Sequence, residues 1–186
     1  MNTYWLAVDT DHSSYLELKY RKVVAQGWSG LGDLVSLKPF HPNHKKQFIQ
    51  NIQVLGDISY NGADWWKNKD RNAKRCPFVI YNLMKLKKGD LIVALEGRTV
   101  KGVCQMPSNS LDLPSNDLVG SYRFDKGFEY AHTVGFGAKW IDWNEGIFGF
   151  TPTAPSKGVL GVKNLRNDRD AVIKAWEAHQ NPQPHI

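Results

Sequence analysis

The chain has 186 residues, 41% of them hydrophobic and 23% charged, a composition that excludes a disordered or low-complexity protein. This length predicts one domain over residues 1–180, followed by a tail or linker over residues 181–186. No apolar run reaches the ~20 residues that span a bilayer, and two cysteines are too few for a disulfide framework. A cytoplasmic setting without a membrane partner is therefore expected.

The formal net charge of +6 is concentrated in one segment. Residues 64–101 carry ten Lys and Arg against four Asp and Glu, whereas the segments on either side are nearly neutral. Such a cluster suits a surface that faces phosphate groups, and a solvated helix face gives the same pattern. The candidate phosphate-binding residues of this segment are Lys67, Lys69, Arg71, Lys74 and Arg75.

The first predicted elements are two strands. Residues 3–8 and 21–26 are rich in β-branched and aromatic side chains, and the second run ends at the glycine turn Gly-Trp-Ser-Gly. This turn places Trp28 on flexible backbone, where a large apolar side chain is difficult to bury. Trp28 is therefore interpreted either as a plug of the core or as a platform at the mouth of a pocket.

Two helices are expected next. Pro42 suits the first turn of a helix whose apolar residues keep helical spacing up to a stop at Gly56. Residues 73–84 have a second apolar face, and Pro77 either begins that helix or kinks it.

The second half of the chain predicts mainly strands. Two apolar runs joined by Gly97-Arg98 indicate a hairpin, and residues 118–124 and 138–143 add two more strands. A polar loop over residues 107–117 separates them, and Asn167 is expected to cap a short closing helix. The pattern predicts an α+β domain built on a small, mostly antiparallel β-barrel of about six strands, flanked by two to four helices.

The sequence lacks the common motifs of enzymes and metal sites. Its six histidines do not have metal-site spacing, and it has no nucleophile elbow, no Walker A motif and no dinucleotide-binding glycine motif. We therefore expect a binding module with no catalytic residue, no metal and no cofactor. One enzymatic alternative is a thiol dyad of Cys76 or Cys104 with His132.

Seven tryptophans are many for a chain of this size. Three lie in strand or helix patterns and are expected in the core: Trp5, Trp140 and Trp176. Three others lie in loops or beside charged residues: Trp28, Trp65 and Trp66. An exposed indole ring can hold a nucleobase by stacking, at about 1–3 kcal/mol per base.

Residues 65–106 resemble the central block of EVE domains, which belong to the PUA superfamily. In this chain the residues that match are Trp65 or Trp66, Arg71, Asn72, Ala73, Met84, Lys85, Gly89, Asp90, Gly102 and Val103. The resemblance implies a PUA-like fold, and the glycine of the second matching strand is expected to admit a close backbone approach.

Two further segments resemble the related YTH domains, which read methylated adenine in RNA. Trp28 and Ser29 match the segment that carries the first cage tryptophan, and residues 141–143 match a late Ile-Asp-Trp that includes Trp143. The resemblance implies that Trp28 stacks on a base while Ser29 reads its edge.

The resemblance to YTH domains also implies which other residues contact the base. The edge-reading residues of that family follow the first strand, where this chain has Asp9, Asp11 and His12 in place of the usual Asn. The second cage tryptophan falls in the loop 107–117, which contains no aromatic residue. Candidates for that second wall are Trp65, Trp66 and Tyr122.

Residues 130–143 look like the end of EVE-like modules fused to restriction enzymes of the McrBC type. The resemblance implies recognition of a modified, methylated base flipped out of DNA, with a nuclease or NTPase subunit as a partner. The alternative is a PUA-like RNA-binding protein that reads methylated RNA or acts in RNA modification or translation.

Overall fold

The computed structural model describes residues 1–67, 72–111 and 130–181. The strands of this described part are β1 (Thr3–Val8), β2 (Val24–Gln26), β3 (Leu91–Glu96), β4 (Thr99–Gln105), β5 (His132–Val134), β6 (Ile141–Asp142) and β7 (Val162–Asn164). Its α-helices are α1 (Tyr15–Arg21), α2 (Lys45–Ser59), α3 (Asp64–Lys67), α4 (Asn72–Met84), α5 (Glu145–Phe148) and α6 (Arg169–Gln180). Two 3-10 helices, Ser29–Leu31 and Val35–Phe40, lie between β2 and α2.

Five strands form one mixed sheet in the order β6-β4-β3-β1-β7. β1 runs parallel to β3 along its whole length, and the other neighbours in this sheet are antiparallel. β2 and β5 form a separate antiparallel pair. The predicted α+β class is confirmed, and the pairings of the described residues include parallel strands and form no closed barrel.

The neighbouring strands β1 and β3 are almost entirely apolar because both faces of the sheet are covered there. Tyr4 and Leu6 of β1 belong to the larger core, which also includes buried residues of α2 and α4. Trp5, between them in sequence, packs on the opposite face with Val172 and Trp176 of α6. Successive side chains of a strand alternate between faces, so a continuous apolar run is expected wherever both faces are buried.

The predicted hairpin is confirmed, with β3 and β4 joined at Gly97-Arg98. The expected close approach at Gly102 is confirmed as well. A Cβ atom at Gly102 would lie 2.1 Å from the Tyr15 hydroxyl and 2.7 Å from the carbonyl oxygen of Ile141. Only a residue without a side chain leaves room for both neighbours.

The predicted ends of α2 were wrong. The helix begins at Lys45 rather than at Pro42, and it continues through Gly56 to Ser59. Gly56 is present for another reason: a Cβ atom there would lie 2.0 Å from Cζ2 of Trp66, whose ring packs directly on the helix backbone. This glycine therefore provides space for a side chain and does not end the helix.

The other helix ends differ from the predictions in detail. Pro77 lies inside α4 and does not begin it. The N-cap of α6 is Asp168, in a left-handed conformation, and not Asn167. The predicted strand over residues 118–124, most of the loop 107–117 and the tail from residue 182 onward lie outside the described residues. Within the described residues, no helix has the length and apolar character needed to cross a membrane.

Candidate functional site

A cavity of about 590 Å³ opens at the carboxyl end of β1. Its volume lies within the range of roughly 300–1,000 Å³ that is usual for small-ligand sites. Segments that are distant in sequence form its wall: the end of β1, the turn after β2, the residue after α2, α3, and the segment before β7. Its lining residues include Asp9, His12, Gln26, Trp28, Ser29, Tyr60, Trp65, Tyr130 and Leu160.

Trp28 lines this cavity with its backbone in a left-handed conformation, at φ 63°. Such a conformation costs roughly 1–2 kcal/mol for a residue with a side chain and needs support from its surroundings. The Trp28 carbonyl oxygen accepts a hydrogen bond from the backbone N–H of Leu31 at 3.0 Å and lies 3.1 Å from Nε2 of His132. The half-buried side chain also packs against the larger core, so Trp28 is both a plug and a cavity wall.

His132 supports the Trp28 turn as a neutral imidazole. Burial lowers the pKa of His132 to about 4, and the hydrogen bond to the Trp28 carbonyl offsets only part of that effect. Because a carbonyl oxygen accepts and does not donate, the neutral ring carries its proton on Nε2 and donates it to Trp28. This buried bond fixes the loop that presents the indole.

The stability of the protein is expected to fall between pH 7.5 and pH 5. His132 has a pKa of about 4 in the folded protein against an ordinary value of 6.5, so the unfolded chain binds more protons in this window. The free energy of unfolding should therefore fall by about 2 kcal/mol through His132 alone. Burial also lowers the pKa of His41, which adds to the fall.

Urea unfolding of the wild type and of His132→Gln at several pH values measures this dependence. Glutamine can donate to the Trp28 carbonyl and does not titrate. The free energy of unfolding of the variant should therefore depend much less on pH, and only the part due to His41 should remain. Equal slopes in the two proteins would contradict the role of His132.

Tyr60, the residue after α2, and Trp65 of α3 form an aromatic wall of the cavity. Their ring centroids are 4.7 Å apart with an interplanar angle of 60°, and 51% of Trp65 remains exposed. The Tyr60 hydroxyl accepts a hydrogen bond of 2.8 Å from the backbone N–H of Gly30, in the same turn as Trp28. One tyrosine therefore links the two tryptophans that line the cavity.

The polar residues of the cavity lie just after β1. The backbone N–H of Asp9 donates to the Tyr130 hydroxyl, and the Asp9 carbonyl accepts from the N–H groups of His12 and Ser13, both at 3.0 Å. The Asp9 carboxylate lies 3.9 Å from Nε2 of His12. Asp11 is exposed and does not line the cavity; its N–H donates to the Asp9 carboxylate at 3.2 Å. Asp9 is thus the acidic group presented to a ligand.

The structure does not bring Trp66 or Trp143 to the cavity. Trp66 is fully buried, and its indole N–H donates to the Asp57 carboxylate at 2.8 Å. Trp143 stacks on Phe148 with ring centroids 4.5 Å apart and packs against the core on the other face of the sheet. Of the predicted base-binding residues, those that meet in the cavity are Asp9, His12, Trp28, Ser29 and Trp65.

Two of the predicted phosphate-binding residues, Lys74 and Arg75, are exposed on α4 and line a second cavity. Lys69 and Arg71 lie outside the described residues, as do Tyr122 and the side chain of Lys67. The second cavity has a volume of about 550 Å³ and also includes Lys157 and Lys163, which the sequence did not single out.

The predicted thiol alternative meets an unfavourable environment. Cys76 and Cys104 are both fully buried, and burial raises the pKa of both thiols well above the ordinary value. That shift favours the neutral thiol and is opposite to the one that activates a nucleophilic cysteine. Among the residues that the structure describes, no group of three or more His, Cys, Asp or Glu is arranged to hold a metal ion.

Comparisons of the chain with protein-family models, with curated proteins and with solved structures found no match.

Proposed function

We propose that the chain is a nucleic-acid-binding module that holds a modified base in the aromatic cavity. The base is methylated and extruded from DNA, and the module is the specificity domain of a modification-dependent restriction or defence system in the cytoplasm. In this proposal the fold is a PUA-like barrel of the EVE and YTH type. Nuclease or NTPase activity belongs to a partner subunit or a fused domain.

The observation that carries this proposal is the joint lining of one cavity by Trp28, Tyr60 and Trp65. Extruding a base costs a few kcal/mol, and stacking on one aromatic ring returns about 1–3 kcal/mol. Two aromatic walls can therefore offset the cost of extrusion. Burial of one methyl group adds roughly 0.8 kcal/mol, which is enough to distinguish a methylated base from its parent about fourfold.

The polar residues beside the aromatic walls support an amino-bearing base as the ligand. The carboxylate oxygens of Asp9 can accept hydrogen bonds, such as one from the exocyclic amino group of cytosine or of adenine. The Ser29 hydroxyl, which both donates and accepts, lies next to Trp28 in the same cavity. Thymine lacks an amino group and is expected to bind less well.

Fluorescence anisotropy with short labelled duplexes tests the proposal. The duplexes carry one 5-methylcytosine, N4-methylcytosine or N6-methyladenine in the same sequence, with the unmodified duplex and the matching RNA as references. We expect at least one methylated DNA duplex to bind about fourfold more tightly than its unmodified form, or better.

Equal affinity for every modified and unmodified duplex would overturn the proposal of a modified-base reader. Consistently tighter binding of methylated RNA than of methylated DNA would instead support the RNA-reading alternative. Both comparisons must be made at one fixed salt concentration, because phosphate contacts make all of these affinities salt-dependent.

A further inference from the structure

The second cavity is a groove whose charged lining residues in the described part of the chain are all cationic. They come from two separate places in the sequence: Lys74 and Arg75 of α4, and Lys157 and Lys163 around the start of β7. Phe78 of α4, which is 45% exposed, also lines the groove and adds an aromatic surface. Lys45 of α2 adds a further cation, with Nζ 5.6 Å from the centroid of the Phe78 ring.

This basic groove and the aromatic cavity share a border. Val159 and Leu160 line both of them, and 42% of Leu160 is exposed. A ligand that fills both spaces therefore passes over Leu160. In a nucleotide chain a base lies close to its own phosphate and to the next one. An aromatic cavity beside a basic groove therefore suits the base and the phosphate of one nucleotide.

The segment that carries Lys157 and Lys163 is fixed against two elements. The Ala7 N–H of β1 donates to the Gly161 carbonyl at 2.9 Å, and the Asn82 side chain of α4 donates to the Val162 carbonyl at 3.0 Å. Gly161 has φ +62°, and a Cβ atom there would lie 2.1 Å from Cγ1 of Val79. Close packing at this glycine holds the segment beside α4, so the cations of the two elements lie along one groove.

We propose that the basic groove binds the phosphodiester backbone of DNA next to the captured base, with Leu160 as the ridge between base and phosphate. This inference rests on the proposed function and makes it more specific: the ligand is a nucleotide chain, and Lys157 and Lys163 are phosphate-binding residues. Each phosphate that the groove neutralises contributes about −0.9 to the slope of log affinity against log salt on duplex DNA.

The double variant Lys157→Gln/Lys163→Gln tests the groove, with Lys87→Gln/Lys88→Gln as the matched control. Lys87 and Lys88 are exposed and line neither cavity, so the control removes the same charge elsewhere. Affinity for the methylated and the unmodified duplex is measured between 50 and 300 mM salt. Thermal melting confirms that both variants remain folded.

We expect the Lys157/Lys163 variant to bind both duplexes roughly tenfold more weakly and to lose about 1–2 from the magnitude of the salt slope. Its preference for the methylated duplex should remain, because the aromatic walls are intact. If the Lys157/Lys163 variant has the same affinity and salt slope as the Lys87/Lys88 control, while both still prefer the methylated duplex, the phosphate-binding role of the groove is contradicted. The proposed base reader is not. If the Lys157/Lys163 variant has a smaller salt slope but the wild type shows no preference for the methylated duplex, the proposed base reader is contradicted. The phosphate-binding role of the groove is then supported by itself.

Discussion

Replacing Trp28 with alanine is expected to weaken the binding of the methylated duplex by about 5- to 150-fold. This range corresponds to the loss of one stacking wall, at about 1–3 kcal/mol. The preference for the methylated over the unmodified duplex should fall with it, since the methyl group loses the surface that buries it. The salt slope should not change, because the groove that carries Lys157 and Lys163 is untouched.

Trp143→Ala is the matched control for Trp28→Ala. Both side chains are partly buried tryptophans that pack against a core, but only Trp28 lines the cavity. The control should lower the melting temperature and leave methyl preference as in the wild type. A Trp28→Ala protein that keeps its preference, or a Trp143→Ala protein that loses it equally, would contradict the assignment of Trp28 as the base platform.

The parts of the fold that the sequence predicted are those encoded by local pattern. The apolar run of β1 and the hairpin turn at Gly97-Arg98 are visible in short windows, and both are confirmed. The parallel pairing of β1 with β3 is not visible, because Thr3 and Leu91 are brought together only by the tertiary fold. Short elements such as β5 and β7 have too few residues to show a period.

The adjacent residues Trp65 and Trp66 show that local sequence also does not determine which side chains reach the candidate site. Neighbouring positions on a helix point about 100° apart, so one of two consecutive tryptophans can reach a cavity while the other enters the core. Residue type does not say which, and burial assigns Trp65 to the cavity and Trp66 to the core. Tyr60 was missed for the related reason that nothing in its own neighbourhood marks it.

The sequence predicts only the part of the basic groove that lies on α4, because the rest comes from a segment with no net positive charge. Residues 102–186 carry eight Lys and Arg against nine Asp and Glu, so this segment shows no excess of positive charge. Lys157 and Lys163 nevertheless lie beside Lys74 and Arg75 in space. A surface assembled from two segments is visible only once the segment before β7 is seen to pack on α4.

A large loss of stability is expected at Gly56, where an alanine substitution should destabilise the protein by about 1–3 kcal/mol. In an exposed helix the same change usually stabilises, by about 0.8–1 kcal/mol, because glycine is a poor helix former. At this position the new Cβ atom would lie 2.0 Å from Cζ2 of Trp66. The Trp66 ring is fully buried and hydrogen-bonded to Asp57, so moving it aside would disturb its packing or break that bond.

Steric overlap should therefore exceed the gain in helix propensity, and urea unfolding measures the difference. Ser59→Ala, an exposed change in the same helix, is the control and should stay within about 0.5 kcal/mol of the wild type. Because Trp65 adjoins Trp66, Gly56→Ala should also reduce methyl preference, which Ser59→Ala should not do.

A double-mutant cycle separates this overlap from a general effect on α2. Trp66→Phe removes the ring atoms that approach Gly56, at the cost of a cavity and of the hydrogen bond to Asp57. The combined variant Gly56→Ala/Trp66→Phe should therefore cost less than the sum of the two single changes, by about 0.5–3 kcal/mol. If the two costs simply add, then the overlap with Trp66 is not what requires glycine at position 56, and the support of Trp65 through α2 must be reconsidered.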